Sequence, residues 1–328
     1  MVLRARFDPE LRARVVGRRP LTYAAGADAA SDRPAHVRAA SGVAWLGARL
    51  VVVQDDAAFL AVVDARGAVD HVALPAGPDG ARQFDDARGN KAHKLDLEAC
   101  VVVERRGAPC LVAFGSGSSP ARERLVVFSE GGAELFDARA LYAALRARDD
   151  FAGSELNVEG AAARGDALVL FNRGNGAPRD GRAPVDATVS VSLAELVAYL
   201  DGAGPPQLGA AMVYDLGAVA GGRLAFTDAT AVEGTVFYLA VAEESPDATR
   251  DGPVAGVALG VLGDPPRQTV VVAEDGRPLL DKLEGLARDP ARTDRLLAVV
   301  DRDDPDAAAE LVTLELAGPW GGAVHSRE

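Results

Sequence analysis

One short pattern recurs at five places in the sequence and constrains the fold more than any other feature. An oxygen-bearing residue is followed by Gly or Ala, then by any residue, then by Ala or Val, and an apolar strand pattern follows each time. The leading residues are 57, 61, 69 and 56 positions apart, roughly the length of one four-stranded propeller blade with its loops. The five instances begin at Ser41, Glu98, Glu159, Asp228 and Glu284.

Short apolar runs separated by turn residues fill the space between these motifs. In the first unit, runs at 49–54, 59–64 and 71–74 follow the motif, with turns at Gly47 and Gly67, which is the pattern of an antiparallel meander. Helices are predicted only near 137–148 and 192–200, the second opening with a capping box of Ser192 and Glu195. The sequence therefore predicts an all-β chain, a single β-propeller domain over residues 1–328 with two short helical decorations.

The number of blades follows from the number of motifs. Five motifs predict five blades, and an N-terminal strand near Leu3–Phe7 is expected to complete one blade and close the ring. The 40 residues before Ser41 and the 45 from Glu284 onward leave six blades as the alternative.

Equivalent positions in a ring of blades meet at its axis, so the five leading residues are predicted to place five oxygen ligands there. Four carboxylates brought together could not stay charged without a cation. Hard oxygen ligands suit calcium better than a soft metal. The sequence thus predicts a calcium site made of the five motif residues, whereas the simpler alternative is that each one caps a turn at the start of a strand.

The charge of the chain limits its partners. A formal net charge of −13 argues against nucleic acid and anionic membranes, since both require basic surfaces. No apolar run approaches the roughly 20 residues of a membrane span, and the first residues lack the apolar core of a signal peptide. We therefore expect a cytoplasmic protein. A small anionic molecule is a conceivable ligand, and a protein partner is left open.

The series Ser, Glu, Glu, Asp and Glu resembles the central ligands of the soluble calcium-activated apyrases, which are five-bladed propeller nucleotidases. The local matches are Asn157–Gly160, Lys282–Leu286, Gly47–Asp56 and Val241–Glu244. Asp228 stands where those enzymes use a small hydroxyl residue. The Leu-Glu-Gly pattern is also similar to bacterial calcium propellers described as phytase-like or esterase-like. The resemblance implies a propeller with central calcium and, more distantly, hydrolysis of phosphate compounds.

Most candidates for chemistry follow the second strand of a unit, where the chain is expected to reach the mouth of a central channel, whereas Lys91 and Lys94 lie just before the second motif, on the connection that enters that unit. Carboxylates mixed with basic side chains could bind a metal-bridged phosphate and orient water for attack. The candidate catalytic residues are Asp55, Arg173, Glu243 and Arg302, and the candidate anion-binding residues are Lys91, Lys94, Ser116, Arg122 and Asn172.

Two functions remain open at the level of sequence. One is a calcium-dependent hydrolase of phosphate esters or anhydrides at the channel mouth. The other is a non-catalytic propeller in which calcium is structural and the rim binds a small ligand or a partner protein. Fold does not decide between them, because propellers support many unrelated activities.

Overall fold

The computed structural model describes residues 1–243 and 252–321, and the chain is mostly β. Three strands precede the first motif: β1 (Val2–Arg4), β2 (Arg6–Phe7) and β3 (Arg12–Pro20). Each motif then begins a group of strands, which we call units 1 to 5.

Units 1 and 2 are four-stranded antiparallel meanders, as the alternation of apolar runs and turns predicts. Unit 1 contains β4 (Ala40–Leu46), β5 (Arg49–Gln54), β6 (Phe59–Val63) and β7 (Val69–Ala73). Unit 2 contains β8 (Leu97–Arg105), β9 (Ala108–Gly115), β10 (Arg124–Ser129) and β11 (Gly132–Asp137).

Units 3 and 4 repeat this order of strands. Unit 3 contains β12 (Val158–Arg164), β13 (Ala167–Asn172), β14 (Asp186–Ser192) and β15 (Leu208–Asp215). The two-residue strand β16 (Ala218–Val219) precedes unit 4, which contains β17 (Gly222–Val232), β18 (Thr235–Glu243), β19 (Val254–Val261) and β20 (Arg267–Val272).

Unit 5 is completed by the start of the chain. Its strands are β21 (Lys282–Arg288), β22 (Arg295–Asp301) and β23 (Glu310–Ala317), and β3 pairs with β23 as the fourth strand. An N-terminal strand therefore does complete a unit, but it is Arg12–Pro20. The segment predicted for this role lies elsewhere, because β1 pairs in parallel with β15 and β2 pairs in parallel with β20.

The units are arranged like the blades of a propeller. The first strands of neighbouring units contact one another in a closed cycle, β4 with β8, β8 with β12, β12 with β17, β17 with β21, and β21 with β4. Because β20 also pairs with β3, units 4 and 5 share one ten-stranded sheet.

Among the described residues, α1 (Arg139–Arg146) and α2 (Asp149–Ala152) connect units 2 and 3, and α3 (Leu193–Leu200) lies inside unit 3 between β14 and β15. Helices α1 and α3 lie at the two places predicted from sequence, and α2 lies just beyond the first of them. The Ser192 side chain caps α3 by accepting a hydrogen bond from the Glu195 backbone N–H. Single 3₁₀ turns occur at Ala29–Ser31, Pro78–Gly80, Lys91–His93 and Pro120–Arg122.

The core consists of apolar side chains between neighbouring units, and both cysteines, Cys100 and Cys110, are buried there as free thiols. Within the described residues, no helix has the length and apolar character needed to cross a membrane.

Candidate functional site

A β-bulge occurs at the same place in the first strand of every unit. In unit 2, for example, Leu97 pairs with Gly115 and Ala99 pairs with Phe114, so Glu98 between them has no cross-strand partner. A bulge re-aims the side chain of its extra residue. The residues in this position are Ser41, Glu98, Glu159, Thr227 and Glu284.

The residue that follows the bulge is small at Gly42 and Gly285 because a Cβ there would clash with neighbouring atoms. A Cβ at Gly285 would lie 2.5 Å from a methyl group of Val299 and 3.0 Å from the Cα of Gly42. A Cβ at Gly42 would lie 2.9 Å from a methyl group of Val53. The motif therefore combines a redirected polar side chain with a close approach of neighbouring first strands.

In unit 4, the register differs by one residue from the one predicted. Phe226 pairs with Ala240 and Asp228 pairs with Leu239, so the bulge residue is Thr227. Asp228 occupies the position of the small residue, and its Oδ2 accepts a hydrogen bond from the Leu286 backbone N–H at 2.7 Å. Burial raises the pKa of Asp228.

The two hydroxyl residues among the bulges make the same contact. The Ser41 hydroxyl donates to the Leu97 carbonyl, and the Thr227 hydroxyl donates to the Leu283 carbonyl at 2.8 Å. Each acceptor directly precedes the glutamate of the next unit. Since the hydroxyl proton is used in this way, the lone pairs of each hydroxyl oxygen remain as acceptors.

The three glutamates of the bulge positions, Glu98, Glu159 and Glu284, line a cavity of about 410 Å³. The predicted ligands Ser41 and Asp228 are buried but are not among its lining residues. The structure thus brings three of the five predicted metal ligands to one cavity. Among the described residues that line it, eleven carboxylates stand against six basic side chains, so the cavity has an excess of negative charge.

Glu98 is the least compensated of these carboxylates. It is 8 % exposed, its carboxylate forms no hydrogen bond or ion pair among the described residues, and Lys94 acts on it only through its charge. Burial raises its pKa well above the usual value, and repulsion from Asp55, Glu159, Asp96 and Glu284 raises it further. One oxygen of Glu98 lies within 4.8 Å of oxygens of both Asp55 and Asp96. A cation is the group that would relieve this arrangement.

Glu159 and Glu284 lie beside two buried basic residues. Arg173 approaches Glu159 at 3.5 Å and Glu284 at 3.8 Å, and its second terminal nitrogen lies 2.5 Å from Glu243. The Lys282 ammonium lies 3.0 Å from Glu284. Burial raises the pKa of Glu159 to about 7, although the charges of Arg173 and Lys282 oppose this shift.

A second group of charges is centred on Lys94. The Lys94 ammonium bonds to Asp55 and lies 2.6 Å from Asp96, and Arg122 lies 2.9 Å from Asp96. Burial raises the pKa of Asp96, but Lys94 and Arg122 outweigh it, so the pKa lies below its usual value. The Ser116 hydroxyl also donates to Asp96. Lys94 and Arg122 therefore line the cavity, whereas Ser116 does not line it and contacts Asp96. Their role in binding an anion stays a prediction.

Other predicted residues have structural partners instead. Asn172 accepts from the Asn157 N–H and donates to the Val185 carbonyl, and it does not line the cavity. Arg302 lies outside the cavity and pairs with Asp281 and Glu310. Lys91 is at the rim, where it pairs with the exposed Asp86. Glu244, which follows the fourth unit's second strand, lies outside the described residues.

One wall was not predicted from the sequence. Arg38, only 2 % exposed, binds Asp56 at 2.5 Å and Asp85 at 3.3 Å, and all three line the cavity. Burial raises the pKa of Asp56 to about 6. Arg38 and Asp85 belong to loops that carry neither the motif nor a strand pattern. Of the residues in this wall, only Asp56, in the run Asp55-Asp56 after a predicted strand, could be recognised from the sequence.

Comparisons with known proteins identify a family but no activity. The model of a family of unknown function, DUF6929, matches residues 36–316, and no curated protein matches the sequence. A protein of unknown function from Bacteroides thetaiotaomicron shares 10% identity at a TM-score of 0.43, covering 93% of this chain and 77% of that one. A virginiamycin B lyase from Staphylococcus aureus shares 9% identity at a TM-score of 0.37, and the match covers 83% of this chain and 79% of that one.

A streptogramin B lyase shares 8% identity at a TM-score of 0.39, covering 92% of this chain and 97% of that one. Similarities at this level carry no inference about the activity of this chain. The resemblance to calcium-activated apyrases therefore rests on the short sequence motifs alone.

Proposed function

We propose that this chain, which belongs to the DUF6929 family of unknown function, is a five-bladed propeller that binds one calcium ion on its axis. Support for the blade count comes from the closed cycle of five first strands and from the five equivalent bulges. The cation is supported above all by Glu98, a buried carboxylate that forms no hydrogen bond or ion pair among the described residues and lines the same cavity as Glu159 and Glu284.

The residues present fit a calcium ion. Calcium binds six to eight oxygen ligands, from carboxylates, carbonyls and water, and the bulges supply carboxylate and hydroxyl oxygens only. Glu98, Glu159 and Glu284 would hold the ion from the cavity side, with Ser41 and Thr227 as the hydroxyl members of the set. Asp228 is better placed to hold β17 against β21 through Leu286.

The simplest test is a calorimetric titration of the intact chain with calcium, paired with a melting curve in chelator and in calcium. We expect one site per chain and a higher melting temperature with calcium, because a ligand that binds the native state stabilises it. A matched pair of variants is Glu284→Gln and Glu315→Gln, the latter in a partly exposed ion pair with Arg295 away from the cavity. If the wild-type protein shows no heat of binding when it is titrated with calcium, the proposed site is wrong.

Hydrolysis of phosphate esters or anhydrides is the second candidate function. It is favoured by the mixture of basic and acidic side chains within one cavity, where Asp55 and Arg173 face the glutamates. A bound calcium would polarise a phosphate oxygen, while Arg173 would neutralise charge and Asp55 would orient water. Glu243, which does not line the cavity, would hold Arg173 in place.

Phosphate release from a panel of nucleotides and sugar phosphates, measured across a calcium titration, tests this reaction. Arg173→Ala should reduce turnover and leave a calcium-dependent melting shift in place. If the panel is not cleaved at saturating calcium, the protein is a non-catalytic propeller that binds a ligand or a partner at this cavity.

A further inference from the structure

Three carboxylates form a compact group within the cavity, at the contact between units 1 and 2. Asp55 directly follows β5, Asp96 directly precedes β8, and Glu98 is the second residue of β8. One oxygen of each carboxylate lies within 4.8 Å of an oxygen of both others. Oxygens this close together suit a hard cation such as calcium. These three residues, the junction cluster, therefore require a cation where the two units meet.

The junction cluster already holds a cation that belongs to the chain. The Lys94 ammonium bonds to Asp55 and lies 2.6 Å from Asp96, and the side chain is only 7 % exposed. Burial lowers the pKa of Lys94, but attraction to the three carboxylates outweighs burial and holds the pKa well above its usual value. A lysine ammonium is a compact point charge, so Lys94 neutralises the cluster in the way that a metal ion would.

The residue two positions before each bulge glutamate explains why only unit 2 needs this lysine. In unit 3 that residue is Asn157, which donates to the glutamate of its own unit at 2.6 Å. In unit 5 it is Lys282, whose ammonium lies 3.0 Å from the glutamate of its own unit. In unit 2 it is Asp96, and an ionised carboxylate has no proton to donate. Glu98 is therefore left without a hydrogen bond or ion pair among the described residues, and Asp96 itself requires a cation.

We propose that Lys94 holds the place of a second divalent cation and thereby limits the cavity to one calcium ion. The inference builds on the proposed calcium site, which takes Glu98 together with the other bulge glutamates. A neutral side chain in place of Lys94 would leave three carboxylates with oxygens within 4.8 Å of one another and no ammonium among them. Calcium fills its six to eight positions with carboxylate oxygens and water. The junction cluster would then bind an ion of its own, and Glu98, with two oxygens, could serve both ions.

The test compares calcium titrations of the intact wild-type chain and of Lys94→Gln by calorimetry. We expect the variant to bind one calcium ion per chain more than the wild type. In chelator, the variant should melt at a lower temperature than the wild type, because buried carboxylates have lost their ammonium, and calcium should reverse this loss. If the variant does not fold in chelator, calcium should refold it. A variant that stays unfolded at saturating calcium would show that calcium cannot replace the ammonium, and the inference would be wrong.

Two double variants of equal charge locate the additional ion. Lys94→Gln with Asp96→Asn removes one carboxylate of the junction cluster and should bind only as many calcium ions as the wild type. Lys94→Gln with Asp86→Asn keeps the cluster and removes instead an exposed carboxylate at the rim of the same cavity, so it should keep the additional ion. If the two double variants bind the same number of ions, the effect depends on net charge alone and the inference is overturned.

The number of calcium ions separates the two proposals. Absence of calcium binding by the wild type overturns the proposed function. The role of Lys94 is judged by the difference between Lys94→Gln and the wild type, whatever number the wild type binds. An equal number of ions in these two proteins overturns the inference and leaves the axial site standing.

Discussion

The five bulges fall into two chemical classes, and comparison of the classes shows where stability and function separate. Ser41 and Thr227 satisfy a backbone carbonyl of the next unit, so each of them joins two units. Glu98, Glu159 and Glu284 direct charge into a shared cavity, and burial raises the pKa of each. The bulge thus directs a hydroxyl that stabilises the contact between units at Ser41 and Thr227. At the three glutamates it directs carboxylates that repel one another.

This difference has a physical consequence for a bound cation. Carboxylates held close together in a buried site destabilise the ionised state of the protein, and a cation that binds only the native state recovers that free energy. Hydroxyl residues carry no such penalty. We therefore expect mutations in the two classes to have opposite effects on stability when calcium is absent.

The largest effect is expected for the pH dependence of stability in chelator. Burial raises the pKa of Glu159 to about 7 and that of Asp301 to about 8, above their values in the unfolded chain. The native state therefore holds more protons, and the free energy of unfolding should fall as the pH rises from about 5 to 8, by roughly 6 kcal/mol if both groups titrate independently. Urea unfolding at several pH values measures this, and calcium should flatten the curve.

The largest effect of a single substitution is expected for Glu98→Gln. Its calcium affinity should fall by roughly a hundredfold, because calcium affinity depends on the number of charged ligands, and calorimetry measures this directly. In chelator, the same variant should melt at a higher temperature than the wild type, since one buried charge is gone. If the variant melts at a lower temperature than the wild type in chelator, the Glu98 carboxylate is stabilising, and the expected difference between the two classes of bulge residue is wrong.

Loss of a hydroxyl should be moderately destabilising. Thr227→Val leaves the buried Leu283 carbonyl without its side-chain donor, and the free energy of unfolding should fall by about 1–3 kcal/mol in chelator. Thr227→Ser should restore most of this stability. If valine and serine unfold at the same urea concentration, the hydroxyl contact between units has no energetic role.

The smallest effect is expected for Asp228→Asn. An asparagine keeps an oxygen that can accept from the Leu286 N–H, and it removes a carboxylate whose pKa is already raised by burial. Its calcium affinity should stay within about threefold of the wild type. A loss as large as that of Glu98→Gln would return Asp228 to the set of ligands.

The sequence by itself determined the order of strands and the residue types at the centre. Apolar runs and turns predicted the meanders, the capping residue Ser192 marked the start of α3, and the recurring Gly or Ala after the motif residue reflected the close approach seen at Gly42 and Gly285. These features are local, since each depends on residues a few positions apart. The clustering of Glu98, Glu159 and Glu284 followed from applying that local pattern to a ring.

Only the tertiary structure decided register, closure and pairing of charges. Thr227 and Asp228 both carry oxygens, and the pairing of Phe226 with Ala240 places the bulge at Thr227. Closure by Arg12–Pro20 depends on its pairing with β23, about 300 residues away. Arg38 joins the cavity because Asp56 and Asp85 approach it from other loops. Such contacts depend on where distant segments meet in space, which a pattern of neighbouring residues does not record.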